Sequence, residues 1–306
     1  MTIGLPRETG AAFPQRKAGM RRFQTVKAYL FLLPFLAFFI LVTAFPVVYG
    51  GYLSLFGQHG ARMWFVGLSN FVSALTDPLF WQGFGMPVFL LLVQVPGMIV
   101  IAIFIGLIYE RIRHSAVYRL IFYLPYAVPG VVAGILWSYI FSQSMSPFVA
   151  LWQLFGVAKP VFITLSSVRW ILLIIILWEW TGYTSLIVYA TLVSIPREYG
   201  EAAEMDGASW LRVAYYIKVP LLRNTVFVLF IFNSIGAMQV FNEPRMINIL
   251  LTLPQNYTPA MYLYNQAFAY GSFTYSIAMG LVLAAVIFVI SFFFMRRSME
   301  ELDVHA

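Results

Sequence analysis

Residues 194–223 read SIPREYGEAAEMDGASWLRVAYYIKVPLLR, the most polar stretch of a 306-residue chain that is 61% hydrophobic and only 10% charged. Pro196 predicts the end of an incoming helix at Ile195, because the residue before proline is pushed out of helical angles. Glu198, Glu201 and Glu204 then fall early in a new short helix, where carboxylates suit the positive end of the helix dipole. Gly207 permits a bend that a residue with a Cβ resists. Ser209 is expected to cap a second helix, in which Trp210, Val213, Ala214 and Ile217 recur at i, i+3, i+4 and i+7. Pro220 suits the first turn of the helix that follows. A helix, a turn and an amphipathic helix therefore join two strongly apolar runs.

Working outward, the rest of the chain is too apolar for a water-soluble fold, since soluble domains carry about 25% charged residues. No charge occurs from Ala28 to Ala61, Pro78 to Tyr109, Leu120 to Ala158, Asn224 to Asn242, or Met246 to Met295. Each interval can hold a helix of about 20 residues, the length that crosses a bilayer. A sixth span near Trp170 to Val193 holds one charge, Glu179. The expected fold is an all-α integral membrane bundle with spans near 28–49, 86–108, 118–141, 170–193, 222–242 and 275–295. The segment 253–258 (LPQNYT) is polar and broken by proline, so it reads as a loop before a short helix at 260–268. Basic residues precede the first apolar run, but that run exceeds the roughly 7 to 15 residues of a signal-peptide core, so it reads as an uncleaved first helix.

The 19 Lys and Arg sort by side. Fifteen fall in the N-terminal segment 1–27, the second and fourth connections and the tail 296–306. The other side holds Arg62, Lys159, Arg169 and Arg245. The positive-inside tendency then places both termini in the cytoplasm. Trp64, Trp81 and Trp152 are expected interface anchors in the outer connections.

The chain has no cysteine, and His59, His114 and His305 lie far apart, so no metal site is expected. The net charge of +7 sits at helix ends rather than in a stripe with interleaved aromatics, which argues against nucleic acid. No G-x-x-x-x-G-K-[ST] segment is present, so the chain is not expected to bind or hydrolyse ATP itself. An integral membrane enzyme needs a cluster of nucleophile, base or metal ligands at one depth, and a proton-coupled secondary transporter needs paired intramembrane acids; the spans suggest neither.

Glu201-Ala202-Ala203, then Gly207, Ile217 and Pro220, with Asp206-Gly207-Ala208-Ser209, resemble the EAA loop of binding-protein-dependent ABC importers. Val219 stands where that family usually has leucine. Further segments resemble the first permease of its carbohydrate-uptake branch, the maltose and glycerol-3-phosphate type: AYLFLLP (28–34), PVVYGGYLSL (46–55), FVGLSNF (65–71), DPLFW (77–81), LPYAVP (124–129), FNEP (241–244) and YLYNQAF (262–268). Met86-Pro87 departs from that branch's usual Asn-Thr. The resemblance implies a type I importer permease in a prokaryotic inner or plasma membrane, paired with a second permease. It also implies a cytoplasmic ATPase dimer that holds ATP and magnesium, and an extracytoplasmic solute-binding protein that delivers sugar. Residues 194–221 would be the coupling loop. Glu201 would pair with a basic group of the ATPase, Ala202, Ala203 and Met205 would pack closely against it, and Asp206, Gly207, Ile217 and Pro220 would complete the element. Glycerol-3-phosphate, an amino acid or an anion are alternative cargoes for the same machinery.

For the solute path, sugars need aromatic faces for stacking and amides or carboxylates for their hydroxyls. Glu179, Trp180, Tyr183, Asn233, Gln239, Asn242 and Glu243 form the candidate lining. Two readings stand for Glu179, a cavity contact or a buried bond that fixes helix packing. Asn233 and Gln239 either face the path or bond between helices, and Glu243-Pro244 could instead receive the binding protein or shape a gate.

Overall fold

The computed structural model describes residues 18–60, 62–112, 115–142, 146–155 and 163–303. The N-terminal segment 1–17, His114, Lys159 and His305 lie outside the described residues, as does the side chain of Trp152. The chain divides into two compact units, Met1–Leu53 and Ser54–Ala306.

The first unit is a helix, Ala18–Phe39, that continues through a π turn at Ile40–Ala44 into Phe45–Leu53. In the second unit, four more helical stretches are long and apolar enough to cross a membrane: Pro78–Arg111, Val168–Ser194, Arg223–Ile247 and Phe273–Arg296. The third expected span, 118–141, is not one continuous helix. Ala116–Ala127 and Gly130–Phe141 meet at 94°. Val128, which precedes Pro129, is extended at φ −82°, ψ 122°, and breaks the helix there. Arg223–Ile247 is also interrupted: a helix ends at Met238 and a short one resumes at Asn242–Ile247. Among the described residues, the all-helical expectation gains one hairpin, Phe56–His59 against Arg62–Phe65, whose ends are tied by Asn70 donating to the Ser54 and Phe56 carbonyls at 2.8 Å each. Trp64 and Trp81, the expected anchors, are both exposed.

Three π turns have a common cause. Phe45, Val95 and Val219 each donate to a carbonyl five residues back, at Ile40, Leu90 and Ala214. Each of these donors is followed by a proline, Pro46, Pro96 or Pro220. A proline ring inside a helix clashes with the carbonyl four residues earlier, and one added residue in the turn relieves that clash.

The core lies where the second and fourth spans run along one another. Leu90, Val95, Met98, Leu172 and Ile175 are fully buried there. Gly106 lets the helices approach so closely that an added Cβ would stand 2.9 Å from Val188 Cγ1. Within a bilayer such contact gains dispersion rather than escape from water, so small residues at the crossing matter most. Asp77 fixes the end at which the second span begins. Its Oδ1 accepts from the backbone N–H of Leu79 and Phe80, and its Oδ2 from the Tyr262 and Tyr275 hydroxyls at 2.9 and 3.0 Å. One carboxylate thereby joins the entry to the second span with the helix Pro259–Phe268 and the last span.

Candidate functional site

Two regions collect the residues that carry chemistry. The first is a cavity of about 500 Å³. The fourth span contributes Ile176, Trp180, Tyr183, Thr184 and Ile187, and the fifth contributes a wall from Val228 to Gln239. Every other lining residue lies at or beside a break in α geometry. Gln94 ends the π turn of the second span, Tyr126 sits in the 3-10 turn before the 94° kink, and Val240 to Glu243 cross the interruption in the fifth span. Non-helical backbone at membrane depth is tolerated where it is buried or lines a cavity, so the breaks and the cavity belong together.

The kink is held by one glycine. Gly182 of the fourth span lies so close to the Phe122 carbonyl that an added Cβ would stand 1.7 Å from its oxygen. That approach seats Tyr126 flat on Tyr183, with ring centroids 4.5 Å apart and planes at 14°, and edge-on to Trp180 at 5.2 Å. The interruption of the fifth span is held similarly. The helix Asn242–Ile247 packs on Gly130–Phe141, with Gly134 under the Met246 side chain and Gly130 under the Glu243 carboxyl.

Six of the seven sequence-derived pathway residues, Trp180, Tyr183, Asn233, Gln239, Asn242 and Glu243, line this cavity. Glu179 does not. It is buried on the same helix near the Glu243 carboxyl, and its Oε2 is buried without a hydrogen-bond partner among the described residues. The Asn233 amide donates within its own helix, to the Leu229 carbonyl at 2.8 Å, rather than across helices. Gln94, Tyr126 and Thr184 are additional. Gln94 is a polar residue in an otherwise apolar run, which is its one signal in the sequence, and it is 2% exposed with, among the described residues, only the weak acceptor Met98 Sδ at 3.9 Å for its amide nitrogen. Tyr126 was visible only as part of LPYAVP.

The second region is the polar connection after the fourth span. Glu198–Met205 is helical and buries none of its residues. Its end is a Schellman cap, with Gly207 N–H donating to the Glu204 carbonyl and Ala208 N–H to the Ala203 carbonyl at 3.0 and 2.9 Å. Gly207 has φ +81°, the left-handed conformation that this cap requires and that glycine adopts without strain. Ser209 occupies the N-cap position of the next helix, but its side chain makes no capping bond, contrary to expectation. That helix is also not a plain α-helix. Trp210–Val213 leads into the π turn Ala214–Lys218 and then Val219–Leu221, so Pro220 follows the π turn instead of starting the fifth span, which begins at Arg223.

Val213 and Ala214 are buried, whereas Leu211, Arg212, Tyr215 and Tyr216 are exposed, which is the amphipathic division expected. Lys218 Nζ lies 2.7 Å from Glu110 Oε1, and Arg111 stacks over Trp210 at 5.0 Å. Both anchors come from the C-terminal end of the second span. Beyond them Glu201, Ala202, Met205 and Asp206 project outward, Met205 being 89% exposed, while Ala203 and Ile217 are partly covered and Pro220 is exposed.

At the opposite end, a smaller pocket of about 300 Å³ is lined by Gln82, Arg169, Asn256 and Tyr257 among others. Burial pushes the Tyr257 hydroxyl up to about 12. Burial, followed by its bond to Asp77, raises Tyr262 above the usual tyrosine value of 10.0.

The family model described as binding-protein-dependent transport system inner membrane component matches residues 98–299. The chain is 30% identical to the lactose transport system permease protein LacF of Rhizobium radiobacter, over 90% of this chain and 95% of that one. It is 29% identical to the arabinooligosaccharides transport system permease protein AraP of Bacillus subtilis, over 96% of this chain and 97% of that one. Its fold matches that of a bacterial ABC transporter involved in the import of the acidic polysaccharide alginate, with a TM-score of 0.78 at 22% identity over 92% of this chain and 99% of that one.

Proposed function

The chain belongs to the family of binding-protein-dependent transport system inner membrane components, a multi-pass membrane permease of the sugar ABC importer type, and from that premise we propose how it is driven and where solute passes. The helix Glu198–Met205 docks in a surface cleft of a cytoplasmic ATPase dimer, with Glu201 meeting a basic group and Ala202, Ala203 and Met205 packing against it. Both termini then lie in the cytoplasm. ATP and magnesium sit on the ATPase subunits, and this chain binds no cofactor. A second permease completes the pathway, and an extracytoplasmic binding protein delivers the sugar. The cavity of about 500 Å³ is this chain's half of the path, within the range of about 300–1,000 Å³ typical of small-molecule sites.

The observation that carries this reading is a helix with no buried residue, Met205 at its tip, held on a firmly packed foot. An exposed apolar tip on a rigid base suits a joint that must transmit force from a partner. Co-purification tests it. The ATPase stays with wild type and is lost from Glu201→Lys; ATPase retained at wild-type stoichiometry by that variant would sink the docking role. For the path, Trp180→Ala should lower uptake while the complex still assembles.

A further inference from the structure

The geometry points to an uncharged saccharide as the cargo of this cavity, and to rejection of uronates, sulfonates and phosphorylated sugars. The inference rests on the cavity being the solute path, and it adds the charge class.

Among the described residues, no lysine, arginine or histidine lines the cavity. Arg245, the basic residue nearest to Glu243 in sequence, is turned onto Tyr264 at 4.9 Å from the ring centroid and is absent from the lining. Arg169 belongs to the separate outer pocket. The only ionisable acid or base in the lining other than tyrosine is Glu243, 8% exposed, with the Glu179 carboxyl against it.

What the lining offers instead is matched to hydroxyl groups. Tyr126, Tyr183 and Trp180 provide a stacked face and a perpendicular edge on which a pyranose ring can lie. Gln94, Asn233, Gln239 and Asn242 present amides, Thr184 a hydroxyl and Glu243 carboxyl oxygens. Each can donate to or accept from a neutral hydroxyl without a net charge entering the membrane. A carboxylate, sulfonate or phosphate would leave water without meeting a cation from this chain's lining, and the desolvation of an unpaired anion is far more costly than that of a hydroxyl.

The intact importer reconstituted in nanodiscs provides the test, through intrinsic tryptophan fluorescence on titration with lactose or maltotriose, and with digalacturonate or trigalacturonate. The neutral sugars should give saturable quenching that weakens at least about 10-fold in Tyr183→Ala, and the uronates should bind at least about 10-fold more weakly than the neutral sugars of equal length. Gln239→Arg, which supplies the missing cation, should narrow that gap. Uronate binding as tight as neutral binding and equally dependent on Tyr183 would overturn the charge class while leaving the cavity as the path. If no titration responds to Tyr183→Ala, the cavity is not the path and the inference falls with it.

Discussion

Gly182→Ala separates two effects of opposite sign. Alanine favours a helix interior over glycine by about 0.8–1.0 kcal/mol, so propensity alone makes the variant more stable. Contact geometry says otherwise, because the new Cβ would stand 1.7 Å from the Phe122 oxygen, 2.5 Å from its carbonyl carbon and 3.1 Å from the Tyr123 nitrogen. Carbon contacts are comfortable at about 3.5–4.0 Å, so backbone must move by more than 1.5 Å or so. The neighbour is main chain in a kinked segment, with no flexible side-chain end to swing away. Overpacking costs typically about 1–3 kcal/mol and sometimes more. Displacing Tyr126 from Tyr183 also forfeits an aromatic pair that adds about 0.5–1.5 kcal/mol. The clash wins, with a net loss of roughly 1–3 kcal/mol. Gly97→Ala is the matched control, since nothing lies within 4 Å of its added Cβ. Thermal unfolding of the purified complex, followed by tryptophan fluorescence, should give a Tm several degrees below wild type for Gly182→Ala and one equal to or above it for Gly97→Ala. Both variants melting at or above wild type would refute the argument that the kink depends on this contact.

Asp77→Asn keeps one acceptor oxygen where four donors now converge on two, and bonds to a charged group contribute about 1.5–3 kcal/mol each; a Tm drop of several degrees, with sugar binding at the cavity intact, is expected. Burial raises Tyr257 from 10.0 to about 12, so the stability it contributes is whole below pH 10 and is lost as pH rises through about 12. Unfolding midpoints across pH 9–12 should therefore fall less steeply in Tyr257→Phe than in wild type. Gly207→Val forces a β-branched residue to φ +81°, at about 1–2 kcal/mol or more; ATPase co-purification should fall while neutral-sugar quenching persists. Glu110→Gln and Lys218→Met should each reduce sugar moved per ATP hydrolysed, and the exchange of both charges should restore part of it, because the 2.7 Å pair ties the proposed coupling element to the second span.

Charge-free intervals, together with the apolar run around Glu179, pointed to long apolar helices, and the Glu201 to Pro220 pattern carried the family. The hidden parts have a shared physical origin. In a bilayer a helix is apolar on both its lipid face and its packed face, so periodicity cannot say which side is inside; Gly182 and Gly106 look like any other small residues until a carbonyl or a Val188 methyl is found against them. Gaps between charges are likewise blind to bends, so 118–141 looks like one span in sequence although Val128-Pro129 lies within it and the helix turns by 94° there. The prolines were the local signal that survived: Pro96, Pro129 and Pro220 each mark a departure from α geometry. Two of those departures, together with the break before Asn242, converge on one cavity. A proline announces that a helix will break, and only packing decides where that break points. Gln94 and Tyr126 therefore gain their place from the crossing of the second, third and fourth spans, a relation between residues far apart in the chain that no local pattern encodes.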